Sequence, residues 1–221
     1  MTTTLTCVKI PATSTPLYSI IWLHGLGADG HDFESIVPEL RIDKPENINF
    51  IFPNAPVQAV TINGGMKMRS WYDILEASLD RKVAVEDIYQ SSALLVDVIQ
   101  GEIDKGIKAE NILLAGFSQG GVIALHTGLR FPQKLAGIMA LSTYLPTTEQ
   151  LITERSPSNN ETPIFMAHGT MDPVVYPQIA KESFKRLKSM DYPISWHEYS
   201  MQHSLCLEEI TDISHFINRV F

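Results

Sequence analysis

A mostly parallel central sheet with helices on both faces, an α/β architecture, is predicted by two observations. Short and nearly continuous apolar runs alternate with longer amphipathic ones, the pattern of buried parallel strands joined by crossover helices. One such run, Ile112-Leu113-Leu114-Ala115, passes through Gly116-Phe117-Ser118-Gln119-Gly120 into an amphipathic stretch from Val122. Strand, tight turn and helix follow one another there without a gap.

Strands are expected at Leu17 to Leu23, Ile48 to Phe52, Asn111 to Ala115, Ala136 to Ser142, Pro163 to His168 and Ile194 to Tyr199, with a weaker edge strand near Leu5 to Ile10. Helices are expected from about Asp32 to Leu40, from Gln119 to Arg130 with Pro132 as a stop, from Pro177 to Met190 and from Ser204 to Val220. Between Val85 and Asp104, Ile88, Ser92, Leu95, Ile99 and Ile103 recur at intervals of three and four, which lays them on one helix face with Ser92 as its weak member. Pro53 to Arg81, punctuated by prolines and Gly64-Gly65, and Tyr144 to Thr162, rich in Thr, Ser, Asn and Pro, read as loops. Loops of that length are uncommon in a compact domain unless functional, so the first is expected to form a gate or wall with its hinge at the paired glycines. No repeat or linker divides the chain, and one domain over residues 1–221 is expected.

Composition narrows the class of partner. Of 221 residues, 44% are hydrophobic and 19% charged, which suffices for a globular core. Seventeen Lys and Arg against 25 Asp and Glu leave a net charge of -8 with no basic run, so nucleic acid is disfavoured. Cys7 and Cys206 imply no disulfide framework, and a reducing, cytoplasmic setting is expected. Neither a signal peptide nor a membrane span is expected, since the N-terminal residues lack a cationic and apolar pattern and the apolar runs are short.

The glycine-flanked Ser118 carries the strongest chemical signal, because such a turn projects a serine hydroxyl from the carboxyl end of a sheet, over a helix N-terminus that favours developing negative charge. An activated serine needs a base, and the base needs an orienting group. Of seven histidines, His203 stands on a loop between the last strand and the last helix, at the same sheet edge as Ser118. His197 lies within a strand, His126 and His215 lie within helices, and His31 opens one. His24 and His168 end strands and compete for the role, but each precedes a glycine and has a more natural backbone task. Asp172, on the loop leaving the strand that ends at His168, is the expected orienter, with Asp73 as rival. The order Ser118, Asp172, His203 is the order in which this triad is built on such a sheet. His24-Gly25-Leu26-Gly27 follows the strand ending at Leu23 and offers the Leu26 amide, with that of Gln119, as an oxyanion hole. It carries no Walker lysine.

These residues resemble the phospholipase/carboxylesterase family of α/β-hydrolases, which includes the acyl-protein thioesterases. The likeness rests on Leu23-His24-Gly25-Leu26-Gly27-Ala28-Asp29, Pro53-Asn54-Ala55-Pro56, Met68-Arg69-Ser70-Trp71-Tyr72-Asp73, Gly116-Phe117-Ser118-Gln119-Gly120-Gly121, Leu141-Ser142-Thr143-Tyr144-Leu145-Pro146, His168-Gly169 with Asp172, and Met201-Gln202-His203. It implies an α/β-hydrolase fold without a cap domain, Ser118 as nucleophile, His203 as base, Asp172 as orienter, and the Leu26 and Gln119 amides as the oxyanion hole, with no metal or cofactor. Trp71 and Asp73 match a motif of such proteins and are expected to shape the wall beside the site. The segment from Ala77 to Val83, with Arg81 and Lys82, departs from the familiar eukaryotic thioesterases, so a bacterial-type carboxylesterase acting on short to medium acyl esters is the leading expectation. An acyl-protein thioesterase or lysophospholipase is the alternative. A non-catalytic acyl or lipid binder is least favoured, since it would need no nucleophile, base, carboxylate and hole together. Met66, Met68 and Trp71 are expected to contact substrate, Met being adaptable to irregular ligands. Transient contact with a membrane surface and a homodimer are both compatible with the sequence.

Overall fold

The computed structural model describes residues 4–76 and 82–221. Its elements are β1 (Cys7–Ile10), β2 (Tyr18–Leu23), β3 (Ile48–Pro53), β4 (Val57–Val60), β5 (Met66–Arg69), α1 (Val85–Ile103), β6 (Ile112–Phe117), α2 (Gln119–Gly128), β7 (Gly137–Leu141), α3 (Thr148–Glu154), β8 (Ile164–Gly169), α4 (Pro177–Ser189), β9 (Ile194–Tyr199) and α5 (Leu207–Val220). Seven strands form one sheet in the order β1-β3-β2-β6-β7-β8-β9, with β4 and β5 as a separate pair. Only β1 runs antiparallel within the large sheet, Cys7 opposite Pro53 and Ile10 opposite Phe50.

Successive strand residues feed opposite layers, as the twofold period of a strand requires. Ile21, Leu23, Leu114, Ile138 and Met166 pack in one core with Ile88, Leu95 and Ile99 of α1, Val122 and Leu125 of α2, and Leu187 of α4. Ile20, Trp22, Leu113, Met139 and Phe165 pack in the other, against Phe33, Leu40 and the α5 residues Ile213, Phe216 and Ile217.

Four readings of the sequence are corrected. The expected helix from Asp32 to Leu40 is a short 3-10 segment, Glu34–Glu39, containing Pro38; proline lacks the donor an α-helix needs and crowds the preceding turn. The supposed loop from Pro53 to Arg81 contains the β4–β5 hairpin. Gly64 and Gly65, at φ 65° and 77°, close its turn, their amides donating to the carbonyls of Thr61 and Val60; residues 77–81 of that stretch lie outside the described residues. The Tyr144 to Thr162 stretch holds α3 and a 3-10 turn at Pro157–Asn159. On α1 the serine that is buried is Ser91, whose hydroxyl donates to the Trp71 carbonyl at 2.5 Å, and Ser92 is only half-buried.

Glu209, in the first turn of α5, is fully buried. Burial, reinforced by Asp212 and partly offset by the Cys206 amide, pushes its carboxyl up to about 8. An unfolded chain ionises this group near 4.3, so the native state holds a proton that the unfolded state has lost. The associated stability is complete below about pH 4 and declines as the pH rises towards 8. Glu209→Gln should therefore gain stability over the parent by roughly 3 kcal/mol more at pH 8 than at pH 5, as read by urea unfolding at the two values; a gain independent of pH would show that Glu209 is ionised throughout.

Candidate active site

Loops that follow strands of the large sheet converge at its carboxyl edge, where open α/β sheets bind ligands. Ser118 sits between β6 and α2 with φ 54°, a left-handed conformation that costs a non-glycine residue about 1–3 kcal/mol. Its surroundings over-determine the turn. The Ser118 amide donates to the Leu141 carbonyl at 2.9 Å, and the Thr143 hydroxyl donates to the Ser118 carbonyl at 2.6 Å. The flanking glycines are forced by close approach: a Cβ on Gly116 would fall 2.2 Å from the Gly120 carbonyl oxygen, and one on Gly120 would fall 2.4 Å from that of Leu23.

His203 and Asp172 meet as the sequence predicts, with Nδ1 of the imidazole 2.7 Å from Oδ2 of the carboxylate. The other oxygen of Asp172 accepts the amides of Val174 at 2.8 Å and Val175 at 2.9 Å. Burial alone would raise this carboxyl, but the hydrogen bond and charge of His203 and the two amides outweigh it and hold the group below its ordinary range. Ser118 and His203 line one cavity of about 250 Å³, together with Leu26, Gln119, Tyr72, Tyr144 and Val175.

The competing residues have other tasks. His24 Nε2 accepts the Ala55 amide at 3.1 Å, which leaves Nδ1 as the donor to the Gly25 carbonyl at 2.7 Å. Burial lowers the pKa of this imidazole, so it remains a neutral strut. Asp73 accepts the Thr61 amide and hydroxyl at 2.7 and 2.6 Å and ties down the β4–β5 hairpin. His168 is fully buried, its Nε2 2.8 Å from the Val175 carbonyl.

Beside Ser118, the Gly27 amide donates to the Arg69 carbonyl at 2.9 Å and the Ala28 amide to that of Gly25 at 3.4 Å. Among the described residues no acceptor takes the amide of Leu26 or of Gln119. The Gln119 side chain clamps the chain before α1, accepting from the Trp71 amide at 3.1 Å and donating to the Tyr72 carbonyl at 2.7 Å.

None of the three expected substrate contacts lines the Ser118 cavity. Trp71 is 0% exposed and does not line the cavity; its indole N–H donates to the His24 carbonyl at 2.9 Å and steadies the segment that carries Leu26. Met66 is 64% exposed on the hairpin, and Met68 is half-buried with its sulfur 3.2 Å from the Asn63 amide nitrogen. Neither methionine lines the Ser118 cavity, whose apolar wall includes Ile74, Tyr144, Val174 and Val175. Val174 and Val175 could have been found as immediate neighbours of Asp172-Pro173, and Tyr144 as a residue leaving β7; Ile74 carries no such signal.

A second, larger groove of about 1020 Å³ shares Tyr144 with this cavity and is lined by Leu75, Val83, Leu145, Tyr176 and Ile179 as well as the charged Lys82, Glu149, Glu182 and Arg186. Cys7 and Cys206 are free. Among the described residues no helix is long and apolar enough to cross a membrane, and no cluster of His, Cys, Asp or Glu could hold a metal ion.

Strand order, a serine on a strained strand-to-helix turn and a His–Asp pair at the same edge define an α/β-hydrolase without a cap domain among the described residues. Residues 7–221 match the phospholipase/carboxylesterase family, and the chain belongs to it. It is a hydrolase of the carboxylesterase and acyl-protein thioesterase type. It is 42% identical over 217 residues to acyl-protein thioesterase 1 of Neurospora crassa, covering 94% of this chain and 89% of that protein. Acyl-protein thioesterase 1 of Yarrowia lipolytica is 37% identical over 217 residues, covering 95% of each. Among solved structures, Arabidopsis thaliana SOBER1 superposes with a TM-score of 0.87 at 30% identity, over 92% of this chain and 98% of that one. Both of these acyl-protein thioesterases are from eukaryotes, and over most of its length the chain is similar to them. Arg81 lies outside the described residues, and Lys82 forms an exposed ion pair with Glu76 at 2.9 Å.

Proposed function

We propose that this hydrolase cleaves thioesters joining long acyl chains to protein cysteines, and that it turns over simple acyl esters through the same acyl-enzyme. Ser118 Oγ attacks the acyl carbonyl carbon while its proton passes to His203 Nε2. The oxyanion is received by the Leu26 and Gln119 amides, each worth about 3 kcal/mol of barrier. Asp172 holds the imidazole with its Nδ1 proton towards the carboxylate and steadies the imidazolium. Collapse expels the leaving thiol or alcohol, which takes the proton from His203. Water then repeats the sequence on the acyl-enzyme and frees the acid.

The observation that carries the choice of acyl chain is the large, partly apolar groove that shares Tyr144 with the Ser118 cavity. At about 1020 Å³ it lies at the upper end of ligand sites, whereas a short ester would need the inner cavity alone. Names of the fungal relatives favour the same reading. Exposed Met66 and Val57 on the β4–β5 hairpin would let the protein rest on the lipid surface that holds such substrates, through apolar burial rather than charge.

For the parent, kcat/KM should rise from p-nitrophenyl acetate through octanoate, and a palmitoyl-peptide thioester should be cleaved. Ile179→Trp, which fills the groove, should cost the long substrates about tenfold, near the loss of one or two methylene contacts, and spare acetate. Met66→Ser should reduce co-sedimentation with lipid vesicles. Best turnover of short esters with an inert palmitoyl thioester would return the protein to the carboxylesterase reading.

A further inference from the structure

We infer that His168 is a positioning residue of the active centre, a neutral imidazole set behind Asp172 that holds both the carboxylate and the Val174–Val175 wall of the substrate cavity. The inference rests on the reading of Ser118, His203 and Asp172 as a triad, and it makes that triad a line of four side chains.

The geometry defines the state of the ring. A carbonyl can only accept, so the 2.8 Å contact from Nε2 to the Val175 carbonyl places the proton on Nε2. Nδ1 is buried with no partner, so it carries no proton that would need an acceptor. Burial lowers the pKa of this ring more than the Val175 carbonyl and Asp172 raise it. The protonated Nε2 also lies 3.4 Å from Asp172 Oδ2, the oxygen that faces His203 at 2.7 Å. His168 thus presents the positive end of an N–H dipole to the carboxylate without competing for it as a full charge.

The Val175 peptide is gripped from both sides. Its amide donates to Asp172 Oδ1 at 2.9 Å, and its carbonyl receives the His168 proton. The loop is pinned to the neighbouring one as well, Thr170 donating to the Tyr199 carbonyl at 2.9 Å and Met171 to that of Met201 at 3.1 Å. Trp196 stacks beside the His168 ring at 6.0 Å between centroids, which fixes its plane. Removing the His168 proton would free the Val175 carbonyl, and the Asp172 carboxylate and the Val174–Val175 wall would lose register together. The ionisable groups that face the ring are Asp172, His203 and, from β9, Glu198, which is itself paired with Lys181 at 2.7 Å.

The test compares His168→Met, similar in bulk but without a donor, with His168→Gln, whose amide can supply one, using p-nitrophenyl octanoate from pH 5 to 9. The Met variant should lose about 10 to 100-fold in kcat, the scale of an ångström's misplacement, and its acid limb should move to higher pH because Asp172 then acts on His203 alone. The Gln variant should recover most of the rate and the parental limb. In an Asp172→Asn background the His168→Met loss should shrink to the part carried by the Val174–Val175 wall, since the rest acts through Asp172. Parental kcat and pH profile in the Met variant, equal losses in Met and Gln, or full additivity with Asp172→Asn would each overturn the inference. Activity abolished by Ser118→Ala but untouched by His168→Met would do so while leaving the triad standing. Should the Met variant not fold, nitrogen-15 histidine spectra of the parent decide: a neutral Nε2–H ring across this range, perturbed by Asp172→Asn, is expected, and a ring that titrates within it or ignores Asp172→Asn is the contrary result.

Discussion

Ser118→Ala should lower turnover about a millionfold, the loss that follows removal of a triad nucleophile. The expectation comes from the turn itself. Ser118 is held at φ 54° by bonds from its own amide to Leu141 and from Thr143 to its carbonyl, and none of these uses the side chain. Alanine therefore keeps the backbone of the elbow and deletes only the oxygen. Thermal melting should be nearly unchanged while p-nitrophenyl ester hydrolysis and fluorophosphonate labelling disappear. A variant that retains a hundredth of the parental rate, or still takes the label, would mean that another residue forms the acyl-enzyme.

Asp172→Asn should cost about 10⁴-fold in kcat through the wrong imidazole tautomer. The loop dictates how the new amide must lie. Val174 and Val175 donate to Oδ1, so the asparagine carbonyl must stay with them, and its NH₂ must replace the oxygen that now faces His203 Nδ1 at 2.7 Å. A donor at that position forces Nδ1 to accept, places the proton on Nε2, and leaves His203 unable to take the Ser118 proton. The loss should appear in kcat for ester and thioester alike, with the fold intact by circular dichroism. A loss below tenfold would show that another carboxylate orients His203, and Asp73, engaged with Thr61, would not be the one.

Local and periodic features are legible in the order of amino acids alone. Strand β9 runs from Ile194 to Tyr199, as its apolar pattern predicts, and the other strands of the large sheet shift by a residue or two at their ends, where backbone pairing rather than composition sets the boundary. The elbow is legible because its constraint is steric and contained in five consecutive residues. Pro38 is a local signal too, and the helix expected around it gives way to a 3-10 turn for a reason already present in the chain.

What only the tertiary structure decided concerns residues whose role depends on distant neighbours. Trp71 looks like a ligand contact beside Asp73, yet its indole is spent on the His24 carbonyl 47 positions away. Met66 and Met68 look like an acyl wall, yet strand pairing lays them along a hairpin, and Tyr144, Val174 and Val175 line the cavity instead. His168 ends a strand and His203 follows one, and only the tertiary structure buries His168 inside β8 and turns its proton onto the Val175 carbonyl. The amino-acid order determines which short segments become strands, helices and the strained turn, because those follow from sterics and period within a few residues. It leaves open which polar groups meet across the sheet edge, because that depends on the packing of loops far apart in the chain.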